Sequence, residues 1–347
     1  MFLSYIHTFR GIAIIIIVAF HTMLMFDWAP YPRLENLLKD ILANGTIYFI
    51  FIAGFLFQHL LHKYSFKNYM KKKVKNILLP YLFMSIPAIY YTLTVTGVGR
   101  VAPQAAIHLK PLWYQVMWLY VTGKAVGPYW FIPMIFLFYL VSPLLKYIDD
   151  NGRTYYALPL LLVLSALIHR PENNINPVHS FLFFFPIYLY GMWASKYKER
   201  LLLSVENHAG FLLLLWIILF GIHCAFSAVH GNIHSRLTFP PEKILFDIGM
   251  FHKLLACTLL TFYLNKYEKF MQRTPLGYFA KISFGIYFIH DYFISLLGKL
   301  PQFEKIFQNQ VVSSFLITLL LVLASSVLFL HIMKSTFGNR SRYLFGY

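Results

Sequence analysis

The sequence predicts an all-α integral membrane protein, a bundle of about ten transmembrane helices, and three observations predict it. Hydrophobic residues make up 59% of the 347 and charged residues only 12%, against roughly 25% charged in a soluble domain. The apolar residues fall in blocks close to the roughly 17–25 residues with which a helix crosses the hydrocarbon layer. Those blocks are uninterrupted, whereas membrane-barrel strands alternate over about ten residues. Backbone groups in lipid must find partners within their own segment, so the blocks read as helices.

In chain order the candidate spans are 11–26, 44–61, 77–97, 129–147, 155–169, 180–195, 210–228, 246–264, 280–298 and 311–333. The first follows Arg10 and reads as an uncleaved span, because Phe20-His21-Thr22 is not a small-residue cleavage site. A Lys-rich connector, 63–75, separates the second from the third. Before the fourth lies the longest connector, 98–128, with Pro103, Pro111, Pro128, Trp113, Tyr114 and Trp118; it reads as an interfacial segment across the outer mouth. The fifth and sixth carry the weakest apolar signal. The seventh and eighth hold the two cysteines, Cys224 and Cys257, which read as packing residues rather than a disulfide or thiolate metal site. Without a repeat, low-complexity tract or dividing linker, residues 1–347 read as one domain.

The formal charge of +17 does not point to nucleic acid, because Lys and Arg sit in short connectors and not in one basic region. With the N-terminus in the cytoplasm, nineteen fall on that side, Lys281, Lys334 and Arg342 among them, and ten outside, among them Arg170, Arg236, Lys243 and Lys305, with Lys253 inside a span. The positive-inside rule therefore predicts a multipass protein of the cell membrane with both termini cytoplasmic.

Ionisable groups inside a span are costly and usually face a cavity or a partner. The first span carries two, Arg10 and His21. Eleven steps of about 100° nearly close three turns, so both project from one face about 16 Å apart along the axis. A guanidinium at the inner mouth suits phosphate, and an imidazole near mid-membrane suits proton transfer. An acyl-CoA answers both needs. The rival readings are a positive-inside anchor for Arg10 and a packed, hydrogen-bonded ring for His21.

Four segments carry a resemblance. Arg10-Gly11-Ile12-Ala13 leading to Phe20-His21 is similar to the Arg-x10-His opening of the membrane acyltransferase 3 family. Gly45 to Leu56 resembles its second-span pattern, with Ala53 where Ser is usual. Tyr129-Trp130-Phe131-Ile132 leading to Pro143-Leu144-Leu145, and Ser283-Phe284-Gly285-Ile286-Tyr287-Phe288-Ile289-His290, resemble two later patterns. The chain departs in the basic connector, where Lys73 and Asn76 stand in place of an Arg-x-x-Arg pair before Ile77-Leu78-Leu79-Pro80.

The resemblance implies an O-acyltransferase that moves an acyl group, expected to be acetyl, from cytoplasmic acyl-CoA to a hydroxyl of a cell-surface or exported glycan. It implies His21 as general base or proton carrier; Arg10 and His290, the latter as a second proton-handling or acceptor-orienting group, are the further catalytic candidates. Arg10, Lys72, Lys73 and Lys75 are the candidate contacts to the phosphates of acyl-CoA, although an anionic-lipid patch would use the same charges. Trp130, Tyr129 and Asp27 are candidates for the acceptor; an aromatic belt is the rival for the first two. His290 can equally bridge helices, and Asp291 is expected to pair with a cation. His230-Gly231-Asn232-Ile233-His234 has metal-like spacing but no completing ligand, so no metal is expected. Expected partners are the bilayer and a glycan, with no nucleic acid. A polysaccharide or lipid-linked sugar exporter is the competing function, since intramembrane Arg and His also suit transport.

Overall fold

The computed structural model describes residues 2–101, 106–231, 234–235, 245–300 and 310–347. Outside them lie Pro103 of the long connector, Asn232 and Ile233 of the His-flanked stretch, and Arg236, Lys243 and Lys305 of the outer charge count. The described chain is a helical membrane protein. Its longer helices are α1 (Ser4–Met23), α2 (Pro32–Leu42), α3 (Thr46–His59), α4 (Phe66–Lys73) and α5 (Leu79–Tyr91), then α6 (Leu112–Thr122), α7 (Phe131–Leu140), α8 (Ser142–Asp150), α9 (Leu158–Ile168) and α10 (Pro177–Lys196). α11 (Lys198–His230), α12 (Ile248–Lys266), α13 (Leu276–Gly298) and α14 (Val311–Phe337) follow. The only strands among the described residues are β1 (Arg170–Pro171) and β2 (His234–Ser235), paired in parallel.

All ten expected blocks fall on helix, but the count of ten spans is not reached on length and apolarity. Six stretches among the described residues qualify: Ser4–Met23, Pro32–His59, Phe66–Thr96, Lys198–His230, Ile248–Lys266 and Val311–Leu344. Leu112–Thr122 with Gly127–Leu140, bent by 79°, adds a seventh. Gly152–Ile168 is shorter. α10 and α13 are long enough at 20 and 23 residues but too polar to qualify. The first carries His179, Ser180 and Ser195 and the second Lys281, Ser283, His290 and Asp291.

These two helices bury their polar side chains against the bundle: His179, Ser180, Ser195, Ser283 and His290 are all buried. α10 packs along α3 and α13 along α1, and both pairs are close because glycine removes the side chain between them. A Cβ on Gly54 would overlap the Tyr188 carbonyl, one on Gly191 the Phe51 carbonyl, and one on Gly11 the Leu276 carbonyl. Small residues at such crossings let backbones approach where lipid supplies no hydrophobic drive. α11 is the opposite case: only Val205 and His223 are buried along it, so its apolar surface meets lipid. The α3–α10 contact makes a prediction. Gly54→Val forces the helices apart and should cost about 1–3 kcal/mol, read as a lower Tm of the detergent-solubilised protein; an unchanged Tm would refute the close contact.

Helix ends are fixed by side chains. Asn176 accepts from the amides of Val178 and His179 at 3.0 Å to cap α10, and Asp247 accepts from Met250 at 3.1 Å to cap α12. α2 is pinned to α11 by Asp40, whose carboxylate accepts from Ser227 Oγ at 2.8 Å and lies 3.4 Å from His223 Nε2. Between α2 and α3 the backbone turns through Asn44 in the left-handed region, φ 58°, where Asn is tolerated better than most residues. That turn aims the Asn44 side chain into the site.

Candidate active site

Two cavities lie on either side of mid-bundle. The larger, about 930 Å³, is basic: Arg10, Lys63, Lys72, Lys73, Lys281, Lys334 and Arg342 all line it. The smaller, about 140 Å³, is lined by His21, Asn44, Trp130, Arg170, Asn174 and Ser283 among others. Phe284 lines both.

α1 supplies one residue to each cavity, as the eleven-residue spacing requires. Arg10 reaches across to α13, where Nε donates to the Ala280 carbonyl at 3.0 Å and Nη2 donates to the same oxygen. Its remaining N–H groups are left for the cavity. Lys73 lies over the rings of Tyr139 and Tyr69, 4.4 and 5.1 Å from their centroids. Lys75 does not line the cavity; its ammonium lies 5.9 Å from the Tyr343 ring. Residues 338–347 fold back so that Asn339, Arg342, Tyr343, Gly346 and Tyr347 also line the cavity.

On the small-cavity side, His21 and His290 approach with ring centroids 5.5 Å apart. His290 is fully buried and does not line the cavity. Its Nδ1 lies 2.9 Å from the Ile286 carbonyl. A carbonyl only accepts, so Nδ1 carries the proton and Nε2 of the neutral ring keeps its lone pair. That Nε2 has no partner, nor has Ser283 Oγ. The pair thus presents a base behind a base, with His21 in front.

Trp130 arrives through the bend between α6 and α7. Gly123 turns at φ 68°, and a Cβ there would collide with the Tyr129–Trp130 peptide. The short turn Gly127–Trp130 is then stitched to α13: Tyr129 Oη donates to Phe288 O at 2.6 Å, Tyr287 Oη to Pro128 O at 2.5 Å, and the Gly127 amide to Asp291 at 3.3 Å. Tyr129 is therefore a buried brace that lines neither cavity, and Asp291 takes a backbone amide where a cation was expected. Asp27 accepts from the Ala29 amide at 3.0 Å and also lines neither cavity.

Sequence reasoning missed Arg170, read only as an outer charge. Its guanidinium carbon sits 4.5 Å from the Trp130 ring centroid. Nε donates to Asn174 Oδ1 at 2.8 Å and Nη1 to Asn44 Oδ1 at 2.7 Å. Burial draws the guanidinium down to about 10 and Asp247 acts the other way; it stays a cation at neutral pH. The signal was illegible because Asn44 is 126 residues away in sequence. Lys281, Lys334 and Arg342 were likewise counted as connector charges. Among the described residues no three His, Cys, Asp or Glu side chains are grouped to hold a metal ion.

The model of a family described as an acyltransferase domain, acyltransferase 3, matches residues 3–331. No curated protein and no solved structure matches the chain.

Proposed function

The chain belongs to the acyltransferase 3 family, and from that premise we propose that it takes an acyl group, acetyl in the first instance, from cytoplasmic acyl-CoA and places it on a hydroxyl of a cell-surface or exported glycan. One observation carries this reading: a large basic cavity and a small His21-lined cavity adjoin at Phe284. A volume of about 930 Å³ falls in the range of pockets for cofactor-sized ligands. Arg10, Lys72 and Lys73 then meet the phosphates by charge-assisted hydrogen bonds, and the acyl end of the pantetheine arm extends past Phe284 toward His21.

The acceptor enters the small cavity from the opposite end of the bundle. Its hydroxyl oxygen attacks the thioester carbonyl carbon while His21 takes the hydroxyl proton; the C–S bond breaks, and the proton passes to the departing thiolate as free CoA. His290 acts as a positioning residue, its Nε2 lone pair set to receive the other N–H of His21. Trp130 offers a ring face to the sugar. The glycan-export reading gains no support from the family.

Two measurements test the proposal. Mass spectrometry of surface glycans from cells with and without the gene should reveal an O-acyl group that disappears with the gene; identical profiles would overturn the acceptor class. In the purified protein, Arg10→Ala should raise the KM for acetyl-CoA by about tenfold or more, with kcat little changed, as loss of a charged hydrogen bond worth about 1.5–3 kcal/mol requires. An unchanged KM would remove Arg10 from the donor site.

A further inference from the structure

Arg170 is a cation in a cavity that, among the described residues, no carboxylate lines. Of its five N–H donors, the structure commits two, one each to Asn174 and Asn44. Both acceptors are neutral amide oxygens, and Trp130 covers one face of the guanidinium. These contacts orient the group without pairing its charge; the field of Asp247 reaches it, but that carboxylate makes no ion pair with it and does not line this cavity. Among the described residues no carboxylate lies within ion-pair distance of it: the ion pairs of Asp40, Asp149, Asp150, Glu35 and Glu206 go to other partners, and Asp247 is occupied with its helix cap.

A second observation lies in the same cavity. Ser283 is 1% exposed, lines the cavity, and its Oγ has no hydrogen-bond partner. A buried hydroxyl without a partner costs about 1–3 kcal/mol, which a polar ligand in the cavity would recover. The ligand cannot be the donor's phosphates, because the cations that suit them line the other cavity, beyond Phe284. A neutral hydroxyl would be served by Asn44 and Asn174 alone. A fixed guanidinium with three free N–H groups suits a planar or tetrahedral oxyanion, which it binds through parallel charged hydrogen bonds.

We infer that the small cavity is an anion-recognition subsite, in which Arg170 binds a carboxylate or phosphate borne by the acceptor, so that the acceptor is an acidic glycan. The inference rests on the acyl-transfer reading for the word acceptor; the anion site stands on its own geometry. Arg170 selects and positions, holding the acidic group so that a neighbouring hydroxyl faces His21.

The test is equilibrium binding of three radiolabelled sugars to the full chain in phosphatidylcholine nanodiscs: methyl glucuronide, glucose phosphate and neutral methyl glucoside. At least one acidic sugar should bind tenfold or more tightly than the neutral one, and which of the two binds better separates carboxylate from phosphate. Arg170→Gln should abolish that preference and Arg170→Lys should keep part of it, both with unaltered acetyl-CoA binding, which also reports that the variants are folded. Equal binding of all three sugars, no binding of either acidic sugar, or a preference that survives in Arg170→Gln would overturn the inference. Failure of acetyl-CoA to bind the unaltered protein would instead overturn the donor reading and leave the sugar comparison intact.

Discussion

Replacing His21 by Ala should lower acyl transfer by about 10²- to 10⁴-fold, the usual contribution of a positioned proton carrier, with acetyl-CoA still bound at its ordinary affinity. His21 is the imidazole that lines the small cavity, and the basic cavity proposed for the donor begins beyond Phe284, so the loss should fall on kcat and spare donor binding. The geometry behind it supplies the reason. His290 is tautomerically fixed by Ile286, its Nε2 has no partner, and its ring centroid lies 5.5 Å from that of His21. Once His21 takes a proton it becomes a cation in a low-dielectric site, and a neutral acceptor atom behind it stabilises that cation without costing a second buried charge. Release of free CoA from acetyl-CoA in the presence of membrane glycan measures the effect. A His21→Ala protein that turns over at the unaltered rate would end the proposal for this residue.

What the sequence made legible was whatever lies on one helix. Arg10 and His21 share a face of α1 because eleven residues nearly close three turns, and the structure puts one in each cavity. Motif likeness located Trp130 and His290 on separate helices, and their approach to His21 is a matter of packing that no spacing encodes. Tyr129 shows the cost of reading residue type alone: an aromatic beside Trp130 suits stacking on a sugar, yet its hydroxyl is spent on the Phe288 carbonyl. Arg170 was illegible for the converse reason. Beside Pro171 at the end of an apolar block it has the look of an anchor, and the Asn44 that orients its guanidinium arrives from the α2–α3 turn. The span count blurred on α10 and α13 because helices that carry inward-facing His, Ser and Asp lose the very apolarity by which spans are recognised.

Phe284 should behave as the partition between donor and acceptor. Among the described residues it alone lines both cavities, and it directly follows Ser283 in the helix that holds His290. A thioester that reaches His21 from the basic side has to pass it, and the aligned approach of carbonyl and hydroxyl depends on how far it turns aside. Misplacement by about 1 Å can cost on the order of 10²-fold. Phe284→Trp should therefore lower transfer by about a hundredfold while leaving acetyl-CoA binding in the basic cavity and sugar binding in the small one. Phe284→Ala opens the partition instead and admits water to the thioester, so acceptor-independent release of CoA should rise above that of the unaltered protein. The larger side chain lowers transfer and the smaller one raises hydrolysis, which separates a partition from a residue that merely fills the core. If Phe284→Trp transfers at the ordinary rate, or Phe284→Ala hydrolyses no faster, the acyl group takes another route between the cavities.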